Sequence, residues 1–217
     1  MAHLTCQGHT RAEIAQIVGD YAEAGVENIM ALGGDPPKDP ADARPSDYRY
    51  AMELVEDVRA AGDFSVGVAA HPELHPRSAD RASDRRRLAE KLELADFAIT
   101  QFFFEVGHYQ RMVDELAALG CTKPVVPGIM PVTNLSQVGR MAELAGAEFP
   151  QWLADELSRA GSPEEVRRVG VAAATQLCID LLDAGAPGLH FYTLNRSSAT
   201  REIHANLGLG RHPVTPL

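Results

Sequence analysis

The stretch Asn28-Ile-Met-Ala-Leu-Gly-Gly-Asp35 decides the fold, because an apolar run ends abruptly in two glycines and a carboxylate. Working outward along the chain, the same pattern recurs in His3-Leu-Thr-Cys6, Phe64-Ser-Val-Gly-Val-Ala-Ala-His71, Phe97-Ala-Ile-Thr-Gln-Phe-Phe103, Pro124-Val-Val-Pro-Gly-Ile-Met130 and Gly188-Leu-His-Phe-Tyr-Thr-Leu-Asn195. A helix is expected after each run. This repeated order of strand, polar strand end and helix is typical of a parallel α/β protein. In such proteins the functional residues lie at the carboxyl ends of the strands.

The segments between these runs carry helical spacing of apolar residues. Helices are predicted over 11–24, 48–61, 84–94, 109–119, 135–144 and 164–184, with an additional helix over 152–160. Thr10 and Glu13 form a capping box at the first helix. Four glycines at helix ends are expected in the left-handed conformation: Gly25, Gly62, Gly120 and Gly185. The tail 211–217, with two prolines, is expected to fray.

Composition narrows the class of protein. The 217 residues are 45% hydrophobic and suit one domain over 1–217. A net charge of -10 argues against nucleic-acid or anionic-membrane partners. Three widely spaced cysteines favour neither a disulfide framework nor a zinc site, so a reducing cytoplasm is expected. No leader-like or membrane-spanning stretch is predicted.

Two short motifs contain residues that are suited to binding a ligand or a metal ion. Gly33, Gly34 and Asp35 would let a ligand approach the backbone beside a carboxylate, although an ordinary strand-to-helix turn explains them equally well. No Rossmann or P-loop fingerprint occurs. His71 and His75 lie four residues apart, but Pro72 follows the first histidine and opposes a helical zinc motif. No metal site is therefore predicted.

Three polar features within or after the strands favour an organic ligand. Residues 77–91 contain six basic and three acidic side chains, which indicates either a solvated helix face or an anion site at a helix amino terminus. Gln101 interrupts an apolar run and needs a hydrogen-bonding partner, such as the edge of a heterocycle. Arg196 could bind a carboxylate, or equally form a core-closing salt bridge.

Six motifs, in order along nearly the whole chain, resemble the methylenetetrahydrofolate reductase family. They are His3-Leu-Thr-Cys6, Ala31-Leu-Gly-Gly-Asp-Pro-Pro37, Ala69-Ala-His-Pro-Glu-Leu-His-Pro76, Ile99-Thr-Gln-Phe-Phe-Phe104, Val126-Pro-Gly-Ile-Met-Pro131 and Leu189-His-Phe-Tyr-Thr-Leu-Asn-Arg196. The resemblance implies a TIM (β/α)8 barrel that binds FAD and passes a hydride from NADH or NADPH, through flavin, to 5,10-methylenetetrahydrofolate. Relatives in this family associate into oligomers, and the residues of this chain leave its own oligomeric state open.

The resemblance assigns roles residue by residue. The FAD-lining residues it implies are His3, Gly33, Gly34, Asp35, Tyr50, Ala69, His71, His75, Asp84, Arg87 and Lys91. Asp35 would lie beside flavin and folate as the catalytic carboxylate, Gln101 would bind the pterin and Arg196 would place the folate substrate. The family commonly has Arg at the position of Gly33 and an aromatic at that of His71, so different flavin contacts are expected there.

The count of strands limits the expected activity. Six of the eight units of the barrel are predicted, whereas relatives begin with two further units that carry a general acid and a flavin contact. Weak or absent turnover is therefore expected for this chain by itself, since loss of a general acid costs about 10²- to 10⁴-fold in rate. Two alternatives are an FAD- or folate-binding protein without reductase turnover and, less favoured, a metal hydrolase.

Overall fold

Six strands form one sheet in chain order. The computed structural model describes residues 1–35, 37, 39–134, 139–140, 142–143 and 146–209. The strands are β1 (Ala2–Thr5), β2 (Asn28–Leu32), β3 (Ser65–Ala70), β4 (Phe97–Phe102), β5 (Val125–Ile129) and β6 (His190–Phe191). Neighbours in the sheet follow the order β1-β2-β3-β4-β5-β6. This order, with helices between parallel strands, identifies six of the eight units of a TIM (β/α)8 barrel.

Helices connect the strands. They are α1 (Arg11–Glu23), α2 (Ala51–Ala61), α3 (Arg81–Leu94), α4 (Val106–Ala118), α5 (Gln151–Ser158), α6 (Pro163–Asp183) and α7 (Ser198–Asn206), with a 3₁₀ turn at Pro40–Asp42. The Thr10–Glu13 capping box is confirmed. Among the described residues, no helix combines the length and the apolar character needed to cross a bilayer.

Three left-handed glycines are confirmed and one is corrected. Gly25, Gly120 and Gly185 have φ values of 72°, 79° and 85°. Gly62 has φ 172°, which is extended backbone. A Cβ on Gly62 would lie 3.0 Å from the ring of Phe64, so glycine leaves room there for a buried aromatic side chain.

Several predicted boundaries were also wrong. Helices α2, α3 and α4 begin at Ala51, Arg81 and Val106, each within three residues of its predicted start. Strand β6 is only two residues long, because the chain leaves the sheet before Leu194 and Asn195, whose φ values are 48° and 61°. Helix α7 is the helix expected after the sixth run, for which no bounds were predicted. The predicted helix over 135–144 lies largely, and the tail 211–217 wholly, outside the described residues.

The chain divides into two compact units. The first comprises 1–70, 85–99 and 116–124. Parallel pairing in this unit places Thr5 opposite Leu32 and Met30 opposite Gly67. Its core is formed by aliphatic side chains from strands and helices: Ile14, Val18, Ile29, Leu54, Val55, Val58, Val66, Val68, Leu88 and Leu92. The carboxyl ends of β1 and β2 therefore lie side by side.

The second unit comprises 71–84, 100–115 and the chain from 125 onward. Its core cluster contains Phe102, Met130, Val132, Ala142, Leu153 and Leu157. Phe104 and Phe149 pack against this cluster, and their two rings meet each other edge to face with centroids 4.9 Å apart. Helix α6 approaches the chain after β5 so closely that a Cβ on Gly170 would overlap the carbonyl oxygen of Val132. Only glycine allows this approach.

Substitution Gly170→Ala should therefore destabilise the protein, because the added methyl group meets backbone that cannot rotate away. We expect the free energy of unfolding to fall by about 1–3 kcal/mol. Gly19→Ala is the matched control, since Gly19 also lies within a helix but a Cβ there meets nothing within 4 Å. The control should be neutral or stabilising by about 0.5–1 kcal/mol. Urea denaturation measures both, and equal effects would contradict the packing argument.

Candidate functional site

The turn after β2 is held against the end of β1. The carbonyl oxygen of Gly33 accepts hydrogen bonds from the amide of Gln7 at 3.0 Å and from the thiol of Cys6 at 3.3 Å. Gly34 has φ 82°, and a Cβ on it would lie 2.9 Å from that of Gln7. The two glycines thus fix a tight turn, and Asp35 follows it with an exposed side chain.

Lys91 and Ala69, both predicted to line the cofactor, are brought together in the first unit. The ammonium group of Lys91 donates to the carbonyl oxygen of Ala69 at 2.9 Å. A cation is thereby held near the end of β3, on the last turn of α3. Arg86 and Arg87 are exposed on α3, whereas Arg85 is buried with 2% relative exposure. The basic run therefore contains both solvent-facing cations and one that belongs to the interior.

His3 and Tyr50 lie apart from the strand-end turns. His3 is an exposed residue within β1, not at its carboxyl end. Tyr50 is the residue that precedes α2; it is 53% exposed, and the Arg49 guanidinium lies 5.2 Å from the centroid of its ring. Both side chains are accessible to a ligand.

The loop after β3 is closed by a buried carboxylate in the second unit. Asp84 accepts a hydrogen bond from the hydroxyl of Ser78 at 2.7 Å and from the amide of His75 at 3.4 Å. The rings of His71 and His75 meet edge on, 4.4 Å between centroids. The His75 Nδ1 atom accepts from the amide of Arg77 at 3.0 Å, so a neutral ring carries its proton on Nε2. Asp84 thus shapes the loop that presents both histidines.

A polar network joins β4, β5 and the chain after β6. Thr100 is fully buried, and its hydroxyl oxygen accepts from the amide of Gly128 at 2.8 Å. The hydroxyl of Tyr192 donates to the carbonyl oxygen of Thr100 at 2.8 Å. Burial raises the pKa of Tyr192 to about 12, so this phenol stays a proton donor at physiological pH. The network gives the neighbouring polar side chains a rigid base.

The side-chain amide of Gln101 uses its oxygen atom, but not its N–H groups, in hydrogen bonds to described residues. Its Oε1 atom accepts from the amide of Phe102 at 3.0 Å, which fixes the side-chain amide against its own strand. The two N–H donors of that amide form no hydrogen bond with any described residue. The backbone therefore supplies the predicted partner for the acceptor oxygen of Gln101, while the N–H donors of the same amide remain available to a ligand.

Arg196 follows an unusual turn. Leu194 and Asn195 both have positive φ, and the amide of Arg196 donates to the carbonyl oxygen of Thr193 at 2.8 Å. The Arg196 side chain is exposed and makes no ion pair within the described part of the chain. The alternative of a core-closing salt bridge is therefore not observed.

Sequence reasoning missed Thr100, Gly128 and Tyr192 as a connected set. Each lies in a quoted strand motif, but none carries a charge or a recognisable spacing. A hydroxyl within an apolar strand was the available signal for Thr100, since a buried hydroxyl needs a partner. Across the described residues, no group of three or more His, Cys, Asp or Glu side chains is arranged to hold a metal ion.

The family model and the similar curated proteins agree on one family. Residues 1–208 match the family model described as methylenetetrahydrofolate reductase. The chain is 36% identical over 209 residues to 5,10-methylenetetrahydrofolate reductase of Escherichia coli, covering 95% of this chain and 69% of the relative. It is 33% identical over 215 residues to a probable methylenetetrahydrofolate reductase (NADPH) of Caenorhabditis elegans, covering 96% of this chain and 32% of that one.

A solved structure shares the fold. It is an uncharacterised protein from Clostridium thermocellum that binds two copies of 5-methyl-5,6,7,8-tetrahydrofolic acid. The TM-score is 0.61 at 12% sequence identity, with 95% of this chain and 72% of that chain covered. At this identity the likeness concerns the fold.

The hydrogen bond from the Gly128 amide to the Thr100 hydroxyl can be tested by substitution of Thr100. Thr100→Val removes the acceptor for the Gly128 amide inside the protein, and a buried donor without a partner costs about 1–3 kcal/mol. We expect the free energy of unfolding to fall by that amount in Thr100→Val and to stay closer to the parent in Thr100→Ser, which keeps the hydroxyl. Thermal and urea denaturation measure the difference, and equal stability of the two variants would argue against the hydrogen bond.

Proposed function

The chain belongs to the methylenetetrahydrofolate reductase family, and we propose that it reduces 5,10-methylenetetrahydrofolate to 5-methyltetrahydrofolate, using bound FAD and either NADH or NADPH. The match of the family model to residues 1–208 is the observation that carries this proposal. The open donors of Gln101 and the exposed side chains of Asp35 and Arg196 support it, because these groups are accessible to a substrate.

FAD is the cofactor implied by the family, and the residues present fit it. Lys91 and the exposed Arg87 supply positive charge suited to a diphosphate. Gly33, Gly34 and Ala69 are small residues at strand ends and leave the backbone accessible. When bound, FAD supplies the capacity to accept a hydride from a reduced nicotinamide and to deliver it to the folate. We assign Asp84 the task of holding the loop that carries His71 and His75.

The substrate residues have distinct proposed tasks. Gln101 donates hydrogen bonds to the pterin, for which its fixed amide is already oriented. Arg196 binds a carboxylate of the folate. Asp35 stabilises positive charge on the reacting folate, because an exposed carboxylate at the end of β2 can face a cationic iminium group. His3 and Tyr50 line the cofactor from β1 and from the start of α2.

The proposal is tested first on the purified chain. We expect a yellow protein that releases FAD on denaturation and whose flavin is bleached anaerobically by NADH or NADPH. Adding 5,10-methylenetetrahydrofolate should restore the oxidised flavin spectrum only slowly, in keeping with the weak turnover expected of a chain with six barrel units. Flavin that is retained but neither bleached nor reoxidised would indicate a binding protein without turnover. A chain that binds no flavin from a solution of FAD would contradict the proposal itself.

Asp35→Asn separates the two half-reactions. We expect flavin content and nicotinamide oxidation to stay near those of the parent, while reoxidation by the folate slows about 10²-fold, since one group that stabilises developing charge is lost. Asp42→Asn is the matched control, because Asp42 is an exposed carboxylate of the same loop. Stopped-flow absorbance of the flavin measures both steps. Equal slowing of both steps in Asp35→Asn would exclude a folate-specific role.

Gln101→Ala tests substrate placement. Removing the amide should raise the KM for folate about tenfold, because one or two hydrogen bonds are lost, while the KM for the nicotinamide is unchanged. Steady-state kinetics with each substrate varied in turn provides the measurement. Gln101→Glu keeps the shape and the acceptor but loses the donors, so it should resemble Gln101→Ala. Parent-like behaviour of Gln101→Glu would show that the donors are not used.

A further inference from the structure

Cys6, which directly follows β1, is hydrogen-bonded to both ends of the loop that carries Asp35. Its amide donates to the carbonyl oxygen of Leu32 at 3.0 Å, and its thiol donates to that of Gly33 at 3.3 Å. Its own carbonyl oxygen accepts from the hydroxyl of Ser46 at 2.9 Å. Cys6 is buried, with 3% relative exposure. One interior residue thus connects the chain before the carboxylate to the chain after it, and we call these contacts the Cys6 bridge.

The incoming end of the loop is a tight turn. The carbonyl oxygen of Gly33 also accepts from the amide of Gln7 at 3.0 Å, so both of its lone pairs are used. Gly34 has φ 82°, and a Cβ on it would lie 2.9 Å from that of Gln7 and 3.1 Å from that of Thr5. A change at the Gly33 carbonyl oxygen is therefore felt two residues before the end of Asp35.

The outgoing end is fastened to the turn between β1 and α1. The amide of Asp47 donates to the carbonyl oxygen of His9 at 3.1 Å, and its carboxylate accepts from the amide of Arg11 at 2.9 Å. The hydroxyl of Ser46 also accepts from the amide of Tyr48 at 3.3 Å. The turn after β1 therefore holds the outgoing end as well as the incoming one.

Fastening both ends matters because Asp35 itself is exposed. Packing does not hold an exposed side chain in one direction, so the direction of this carboxylate depends on the backbone that carries it. A loop whose two ends are fixed has fewer conformations than one that is held at a single end. The Cys6 bridge supplies this restriction at both ends at once.

We infer that Cys6 and Ser46 position Asp35 for the reaction with the folate, by joining both ends of its loop through the Cys6 bridge. Both are positioning residues, since they act through Asp35 and not on the substrate. The effect on the folate rests on the proposed function, whereas the coupling of the two loop ends does not.

Hydrogen exchange of the full chain tests the coupling without flavin. Ser46→Ala should lower the protection of the Gln7 amide about two- to tenfold, the effect of one hydrogen bond, although Ser46 contacts Cys6 at the opposite end of the loop. Ser158→Ala is the matched control, because the exposed Ser158 also donates to a main-chain carbonyl oxygen, that of Asp155, in the second unit. Unchanged protection of Gln7 in Ser46→Ala would overturn the inference.

Substitution of Cys6 tests the same coupling from the other side, because coupling is reciprocal. Cys6→Ala removes the thiol and keeps the carbonyl oxygen that Ser46 contacts, so a loss of protection at the Asp47 amide would be transmitted through the loop. Cys6→Ser keeps a donor for Gly33 and should stay close to the parent. Equal losses in Cys6→Ala and Cys6→Ser would contradict a role for that donor. Ser46 is only half-buried, so Ser46→Ala retains the test if Cys6→Ala does not fold.

Stopped-flow absorbance of the flavin measures the consequence for the reaction. Cys6→Ala and Ser46→Ala should slow reoxidation by 5,10-methylenetetrahydrofolate about three- to tenfold, since a misplaced catalytic group loses rate. Reduction by the nicotinamide should stay at the rate of the parent. Combined with Asp35→Asn, neither substitution should slow reoxidation further, because the group that it positions is already lost.

Two results would overturn the positioning role. One is equal slowing of both half-reactions in Ser46→Ala, and the other is additive slowing when Ser46→Ala is combined with Asp35→Asn. A parent chain that binds no flavin would contradict the proposed function instead, and hydrogen exchange at Gln7 and Asp47 would still decide whether the Cys6 bridge couples the two ends of the loop.

Discussion

A parallel strand that is buried on both faces can present polar groups only where it ends, and this constraint organises the whole chain. Val66 and Val68 in the middle of β3 are completely buried, whereas the loop that follows carries His71 and His75. Among the described strand residues, Thr100 is the polar side chain that is fully buried, and its hydroxyl is satisfied by the amide of Gly128. A buried polar atom inside the sheet thus requires a dedicated partner.

The same constraint explains what could be predicted from the sequence. Apolar runs with polar tips located all six strands, and the turn at Gly33 and Gly34 was recognisable because its glycines follow a strand directly. The short β6 was not foreseen, because an apolar sequence continues beyond Phe191 although the backbone leaves the sheet. The bounds of helix α7 could not be predicted, because only Ala199 and Ile203 are buried in it, which is a weak helical pattern.

In the candidate site, some features follow from the residue types and their spacing, whereas others depend on tertiary contacts. Residues 77–91 are rich in basic side chains, yet Arg85 is buried while Arg86 and Arg87 are exposed. Helical spacing accounts for this difference, because Arg85 lies three residues before the buried Leu88 and seven before the buried Leu92, on one face of α3. The contact of Lys91 with the carbonyl oxygen of Ala69, by contrast, could not be predicted, since it depends on how α3 lies beside β3.

Within the loop after β3, two carboxyl groups are used in different ways. Asp84 is buried and accepts hydrogen bonds from Ser78 and His75, so it fixes the shape of the loop through contacts within it. Glu73 meets another segment, and burial raises its pKa. A glutamine could accept the same amide hydrogen bond without the cost of burying a charge. Asp84 therefore shapes the loop from within, whereas Glu73 connects the loop to the chain that precedes α5.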